Sequence, residues 1–458
     1  MDIKRRYELN ILRSLIYLSI PTVIEEIMST LLQYVDTAMV GQLGEKATAA
    51  VSTTTTVNWL INSVPWAISV AAVAMISKAV GERDREKARR TSSQIFLLTV
   101  ISGVTLGIIC LVLSPFIPGW MHAAKDIRKE ASLYFAIISF PMVFRVINTV
   151  MGACIRATED TKTPMVVTLI ENIMNIVLNY LLIYRLNMGV KGAATATAIS
   201  YSSAGILMFI AYRRKDFLRF KFKKPVFDKH ILKETASTAY PVFLTSSANC
   251  MGYVVFASIV SSMGTTVFAA HSIAVNAEQL FYISGYGLRA STSTLIGISR
   301  GEKDERKFRA VEKTSILITV TLMFFSGILL FIASNPFMNL FTSSKTAAGL
   351  GAEMLRLISF TEPFYGLMIV LEGIYYGLGK TKYVFVIESI SMWAVRILFT
   401  YICVNIWSME LRYVWYCMIA DNLCKAIMLS VPFILGKVKF PETSDTHSLK
   451  ERGDLFGN

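Results

Sequence analysis

The chain has 458 residues, of which 53% are hydrophobic and only 17% charged. Soluble domains carry about 25% charged residues, so this composition argues against a water-soluble globular enzyme and excludes a disordered, coiled-coil or collagen chain. The net charge of +14 would suit nucleic acid, but its distribution along the chain assigns it to a membrane surface instead.

Apolar runs recur twelve times, near 14–41, 53–77, 91–118, 130–155, 163–184, 190–212, 234–262, 270–299, 311–341, 352–378, 382–407 and 411–436. Each is long enough to cross roughly 30 Å of hydrocarbon. Inside lipid every backbone N–H and C=O must be paired within the protein, so these runs are read as helices. The expected fold is an all-α membrane protein. The basic start, MDIKRRYELN, has no small-residue cleavage site before Pro21 and reads as a retained cytoplasmic segment rather than a signal peptide. With both termini cytoplasmic, the inward loops hold 33 Lys and Arg and the outward loops 8. This is a strong positive-inside bias for a plasma (inner) membrane protein. It also removes nucleic acid as a partner, because the charge faces the anionic lipids of the inner leaflet. Cys110, Cys154, Cys250, Cys403, Cys417 and Cys424 lie in apolar stretches without a CxxC pair, and only four histidines exist. Neither a disulfide framework nor a zinc site is expected.

The sequence repeats itself at an offset of 220 residues. Pro21 recurs as Pro241, Gly44 as Gly264, and Ala49-Ala50 as Ala269-Ala270. Gly81-Glu82-Arg83-Asp84 recurs as Gly301-Glu302-Lys303-Asp304, Ile138-Ser139-Phe140 as Ile358-Ser359-Phe360, and Thr161-Lys162 as Thr381-Lys382. Two copies of six spans follow: an amino lobe, 1–212, a basic cytoplasmic linker, 213–233, a carboxy lobe, 234–440, and a cytoplasmic tail, 441–458. An even number of spans gives both lobes one orientation, related by a pseudo-twofold axis along the membrane normal. That geometry suits alternating access around a cavity near midplane. The repeated Gly81 and Gly301 read as helix C-terminal stops. No GxxxxGK[ST] motif is present, so no ATP site is visible.

Within the spans, Asp36 is the first candidate. A carboxylate at the centre of a span costs roughly 2.5–3.5 kcal/mol on insertion scales, so it takes a proton, seeks a cation, or serves only to hold helices together. Asn172, Asn175 and Asn179 fall within about 60° of one another on a helix, forming a polar stripe. Amide oxygens suit sodium and also hydrogen-bond a protonated Asp; the alternative is interhelical glue. Glu171 faces either the cavity or a neighbouring polar group. Glu25 lies eleven residues before Asp36, on the same face and about 16 Å away, while Glu26 is expected to point elsewhere. Glu25 either attracts a cationic substrate or sits in a polar boundary zone. Glu278 precedes Phe281, Tyr282 and Tyr286, whose rings beside a carboxylate suit an organic cation or are simple helix packing. Glu372, Glu388, Arg396 and Asp421 also lie in spans. Some must pair with each other or with Arg289, in combinations the sequence leaves open.

Several motifs together resemble the multidrug and toxic compound extrusion family of secondary transporters. They are Tyr34-Val35-Asp36-Thr37 with Gly41 and Gly44, Gly81-Glu82, Ile155-Arg156-Ala157-Thr158-Glu159-Asp160-Thr161-Lys162-Thr163-Pro164, and Ala269-Ala270-His271 with Asn276. The resemblance covers about 10–440. It implies twelve helices in two six-helix lobes, a V-shaped cavity, and export of organic, often cationic or amphipathic compounds driven by inward proton or sodium flow. It also implies a coupling site at Asp36, Asn175, Asn179 and Thr197, with Tyr134 nearby; the asparagine stripe adds Asn172. Sodium, where it is the coupling ion, would be held by Asp36, Asn175, Asn179 and Thr197, and no other cofactor is expected. Some members carry Asp at the position of Asn179, so strong sodium affinity is in question here. The family's acids in spans 7 and 10 match Asn249 and Tyr365, which places coupling in the amino lobe, with Glu372 as a substitute two turns beyond Tyr365. The expected substrate residues are Glu25, Glu171, Glu278, Tyr282, Tyr286, Tyr365 and Glu372. The expected partners are small organic substrates and membrane lipids around a monomer. A flippase for a lipid-linked saccharide is the alternative, kept open by Arg145, Arg289 and Arg396. A channel ranks third and a catalytic enzyme last, since no nucleophile–base pair or metal cluster is discernible.

Overall fold

The computed structural model describes residues 3–220, 227–342 and 344–435. The expected tail, the last residues of the expected carboxy lobe, and residues 221–226 of the expected linker lie outside them. Among the described residues the protein is helical, without strands.

The amino lobe comprises α1 (Ile3–Gly41), α2 (Glu45–Gly81), α3 (Arg85–Leu113), α4 (Arg128–Ser139 with Met142–Arg156), α5 (Lys162–Arg185) and α6 (Gly189–Arg213). The carboxy lobe comprises α7 (Lys229–Ser261), α8 (Thr265–Glu302), α9 (Glu305–Phe341), α10 (Lys345–Ser359 with Glu362–Gly377), α11 (Thr381–Ile406) and α12 (Leu411–Ile434). Nine of these are individually long and apolar enough to cross a membrane. Two more, α4 and α10, are crossings bent by 51° and 60°. The bends fall at repeat-related places, beside Pro141 and Pro363, where a proline cannot continue the hydrogen-bond ladder.

The twelfth crossing, α8, departs from the expected apolar run. It carries His271, Asn276, Glu278, Gln279, Arg289 and a run of Ser and Thr. Its consecutive residues from Ser291 to Ser299 are nevertheless all buried, because α8 is surrounded by protein rather than lipid. It packs along α1, α2, α9 and α10.

One end of the bundle gathers the linker and the interhelical loops of like polarity. Lys215, just past α6, pairs with Asp160 of the α4–α5 loop at 2.6 Å. Arg89 of α3 donates to the Asp216 carbonyl at 2.8 Å, and Tyr7 of α1 donates to Asp304 at 3.3 Å. Asp160 also caps α5, accepting from the Thr163 N–H at 3.0 Å. Burial pushes the Asp160 carboxyl up, but the bonds from Lys215 and Thr163 outweigh this and hold it below the usual carboxylate range.

The lobes meet most tightly at this linker end. A Cβ on Gly81 would overlap the Ile298 carbonyl, one on Gly301 the Lys78 carbonyl, and one on Gly297 the Ser77 side chain. The two repeat-related glycines are therefore not helix stops. Both are buried helical residues that let α2 and α8 cross backbone against backbone. The left-handed residues that end the turns are Arg83 (φ 55) and Lys303 (φ 56) instead. Toward the other end the α2 surface becomes exposed, with Trp59 at 50% and Leu60 at 42%. The lobes are closed at the linker end and still touch beyond it, where the Tyr34 hydroxyl of α1 donates to the Asn276 carbonyl of α8 at 3.1 Å.

Gly81→Ala or Gly301→Ala should prise that closure apart. With Ser299 replaced by cysteine as a reporter, alkylation by a small maleimide should rise at least severalfold in either glycine variant. Unchanged protection of the reporter would show that the glycine contact does not hold the end shut.

Candidate functional site

Three polar regions lie along the lobe interface and inside the lobes. The first is a hydrogen-bonded chain in the amino lobe. Asn179 Nδ2, on α5, donates to Asp36 Oδ1 of α1 at 2.6 Å and to Asn175 Oδ1 at 2.9 Å. Asn175 Nδ2 in turn donates to Thr197 Oγ1 of α6 at 3.3 Å. The i, i+4 spacing of Asn175 and Asn179 puts both on the α5 face turned to α1 and α6. Four of the expected coupling residues are thus brought into one chain. Asp36 has no basic residue within ion-pair distance among the described residues. Asn179 Oδ1 is buried without a partner, so the chain has one oxygen to spare for a proton or a hard cation. Tyr134 lies buried in the same lobe core but makes no hydrogen bond to Asp36. Asn172 does not join the chain: it faces the central cavity, with its Nδ2 buried and unpartnered.

The second region is that cavity, about 500 Å³ between the lobes, which falls in the range of drug-sized sites. Glu25 lines it but is not free. Arg156 donates to both its oxygens, at 3.0 and 3.1 Å, and Thr168 adds a bond at 3.3 Å. The Glu25–Thr168 and Asp36–Asn179 contacts are eleven residues apart on both helices, so α1 and α5 run parallel and in register. Glu26 lines the cavity as well, against the expectation that it points elsewhere, because the cavity wraps more than one face of α1. Glu171 lines it too, accepting from Asn148 Nδ2 at 3.0 Å. Arg145 reaches the cavity from α4, donating to Asn58 Oδ1 at 3.3 Å and lying over the Tyr201 ring at 5.1 Å.

The third region is a chamber of about 130 Å³ in the carboxy lobe, closed on one side by Trp66 of α2. Its charges cancel in pairs. Arg289 meets Glu372 at 2.8 Å, Arg396 meets Asp421 at 2.8 Å, and Lys425 meets Asp421 at 3.2 Å and Glu388 at 3.3 Å. Asn249, at the family's acid position, donates to Glu388 at 3.2 Å. Arg396 is presented by a π-helical turn of α11, Ser391–Ile397. Glu372 is therefore not an open substrate carboxylate: Arg289 occupies it, stacked on Trp66 at 5.0 Å and Tyr286 at 4.5 Å. The expected aromatic group holds together, with Tyr282 against Tyr286 at 5.6 Å and against Tyr365 at 5.1 Å. The Tyr286 and Tyr365 hydroxyls are 3.0 Å apart. Glu278 is buried and lines neither cavity.

Sequence reasoning missed Glu362, whose two carboxyl oxygens are buried without partners. It sits at the α10 bend, where the apolar run is interrupted. It also placed Arg156 in a loop, although the side chain reaches back into the cavity.

The MatE family profile matches residues 21–181 and 241–402, two stretches whose starts are 220 residues apart. The chain belongs to the MatE family. A probable multidrug resistance protein NorM of Thermotoga maritima is 27% identical over 96% of each chain. Among solved structures, a MOP superfamily transporter from Pyrococcus furiosus superposes with a TM-score of 0.87 at 23% identity, covering 94% of this chain and 96% of the other. A mutant form of the Vibrio cholerae MATE transporter VcmN gives 0.88 at 16% identity, covering 94% and 98%. This MatE chain is an integral membrane transporter of small substrates, not an enzyme, with twelve transmembrane helices in two six-helix lobes.

The Glu25–Arg156 pair yields a double-mutant test. Glu25→Gln or Arg156→Gln alone strands a partly buried charge and should cost about 1–3 kcal/mol. The double variant should recover most of that loss in a thermal-shift measurement. Additive losses would show that the two side chains act independently.

Proposed function

We propose that this transporter is a cation-coupled exporter of organic, amphipathic compounds, working by alternating access with Asp36 as the coupling group. The observation that carries the reading is the environment of Asp36: a carboxylate in a membrane span met by neutral amides and no guanidinium. An unneutralised charge in hydrocarbon is expensive. Deprotonated Asp36 is held by the Asn179 N–H. Turning that amide over presents the orphaned Oδ1, which accepts from a protonated carboxyl or ligates sodium. Asp36 with the oxygens of Asn175, Asn179 and Thr197 offers one charge and three neutral ligands, a modest sodium site and an adequate proton site. Because Asp36 joins α1 to α5, and α1 also packs along α8, its neutralisation loosens one lobe against the other. The two cavity states then differ in affinity for the coupling ion, which is what coupling requires.

The excess of Lys and Arg in the linker-side loops supports placing that end in the cytoplasm, with both termini, in the inner membrane. The tightly packed end is then cytoplasmic, and the ion enters from outside as substrate leaves. The protein is read as a monomer in lipid. A lipid-pyrophosphate flippase would need free cationic groups; of its three arginines, Arg289 and Arg396 are neutralised by carboxylates.

In proteoliposomes, Asp36→Asn should insert normally and lose dye efflux driven by either a proton or a sodium gradient. Unimpaired gradient-driven efflux by that variant would refute the coupling role. Asn179→Asp adds a second carboxylate and should increase the sodium dependence of efflux. If the dependence on sodium is unchanged, the amide chain is not the ion site.

A further inference from the structure

The central cavity is not uniformly acidic. Three glutamates and three arginines line it: Glu25, Glu26, Glu171, Arg145, Arg156 and Arg289. Glu25 and Arg156 neutralise each other, and Arg289 is neutralised by Glu372. Glu26, Glu171 and Arg145 are left with no oppositely charged group within ion-pair distance among the described residues. The direct contacts of Arg145 are neutral, the Asn58 amide oxygen and the Tyr201 ring, while Glu171 acts on it electrostatically from beyond ion-pair distance.

The internal repeat shows what is unusual here. The position equivalent to Tyr201 in the carboxy lobe is Asp421, 220 residues on. Asp421 pairs with the carboxy-lobe arginine, Arg396, at 2.8 Å. The position equivalent to Arg145 is Tyr365, whose hydroxyl meets Tyr286. In one half, then, an arginine faces an acid and is neutralised. In the other it faces a tyrosine ring, and no carboxylate reaches it within ion-pair distance among the described residues. A guanidinium held by an aromatic face and one amide retains most of its N–H donors for a planar oxyanion.

Resting on the exporter reading above, we propose that Arg145 is a specificity residue that receives the carboxylate of a zwitterionic substrate, whose amine lies toward Glu26 and Glu171. The carboxylate of the bound molecule answers Arg145 and its amine is shared by the two acids, so neither resident ion pair is disturbed. A purely cationic compound satisfies the two acids but leaves Arg145 unmatched and repels it. A purely anionic one does the reverse. The preference is therefore for molecules bearing both charges on an aromatic or amphipathic frame, which fits a cavity also walled by Trp66, Tyr286 and Tyr376.

A matched dye pair tests this. Rhodamine 110 carries a free carboxyl group beside its cationic xanthene, and rhodamine 123 is its methyl ester. Binding of both to the purified full-length transporter would be measured by fluorescence anisotropy, and efflux of both from proteoliposomes alongside. The wild type should bind rhodamine 110 more tightly than rhodamine 123. Arg145→Gln should weaken rhodamine 110 by about tenfold or more, the scale of one charge-assisted bond, and leave rhodamine 123 unchanged or tighter. Arg145→Lys should restore part of the rhodamine 110 affinity. Retained rhodamine 123 binding certifies that a variant is folded. A wild type that prefers the ester, or an Arg145→Gln variant that loses both dyes equally or neither, overturns the proposal while leaving the exporter reading intact. A wild type that neither binds nor moves either dye overturns both.

Discussion

A carboxylate inside hydrocarbon must find a proton, a cation or a guanidinium, and Asp36 has been given none of these by the protein itself. Its neighbours are amides that serve it in either charge state. The contrast within the same molecule is sharp. In the carboxy lobe Asp421, Glu388 and Glu372 are each tied to Lys425, Arg396 or Arg289. Breaking such a buried pair costs several kcal/mol, so those three acids are electrostatically fixed, whereas Glu362 of the same lobe is buried without a partner. The amino lobe keeps a charge whose partner must come from outside, and that is the property a coupling site needs.

The two halves share a scaffold and differ in chemistry. The bends of α4 and α10, the left-handed turn residues Arg83 and Lys303, and the crossing glycines Gly81 and Gly301 obey the repeat closely. These features are dictated by backbone geometry, which both lobes need. The side chains facing the cavities do not obey it: Arg145 stands opposite Tyr365 and Tyr201 opposite Asp421. Symmetry supplies a hinge between equivalent lobes, and divergence supplies two dissimilar walls.

Much of this was legible in the sequence, and the misses have physical causes. Length and hydropathy located all the crossings, because hydrocarbon imposes a simple rule on backbone polar groups. The asparagine stripe could be read from helical periodicity, and two of its three members join the chain that ends on Asp36. Asn172 and Glu26 were misplaced because periodicity tells which residues share a face but not how wide a cavity that face meets. Gly81 and Gly301 were read as helix ends because Gly at a helix C-terminus is the commoner use; that a second helix lies against them is tertiary information. The ion pairs of Arg289, Arg396 and Lys425 were foreseeable in kind, since unpaired charges there are costly, but not in partner. Arg156 reads as a loop residue, yet its long side chain reaches from the α4 terminus back to Glu25.

The central claim is that neutralising Asp36 moves the lobes. Spin labels at Arg85 and Glu305, the repeat-related first residues of α3 and α9 on the linker side, report the separation of the lobes where they now touch. Pulsed double-resonance distances would be compared at high and low pH, with and without sodium. The account predicts that acid or sodium shifts the distribution to longer distances, and that Asp36→Asn gives one distribution insensitive to both. An Asp36→Asn protein that responds to pH and sodium as its parent does would contradict it.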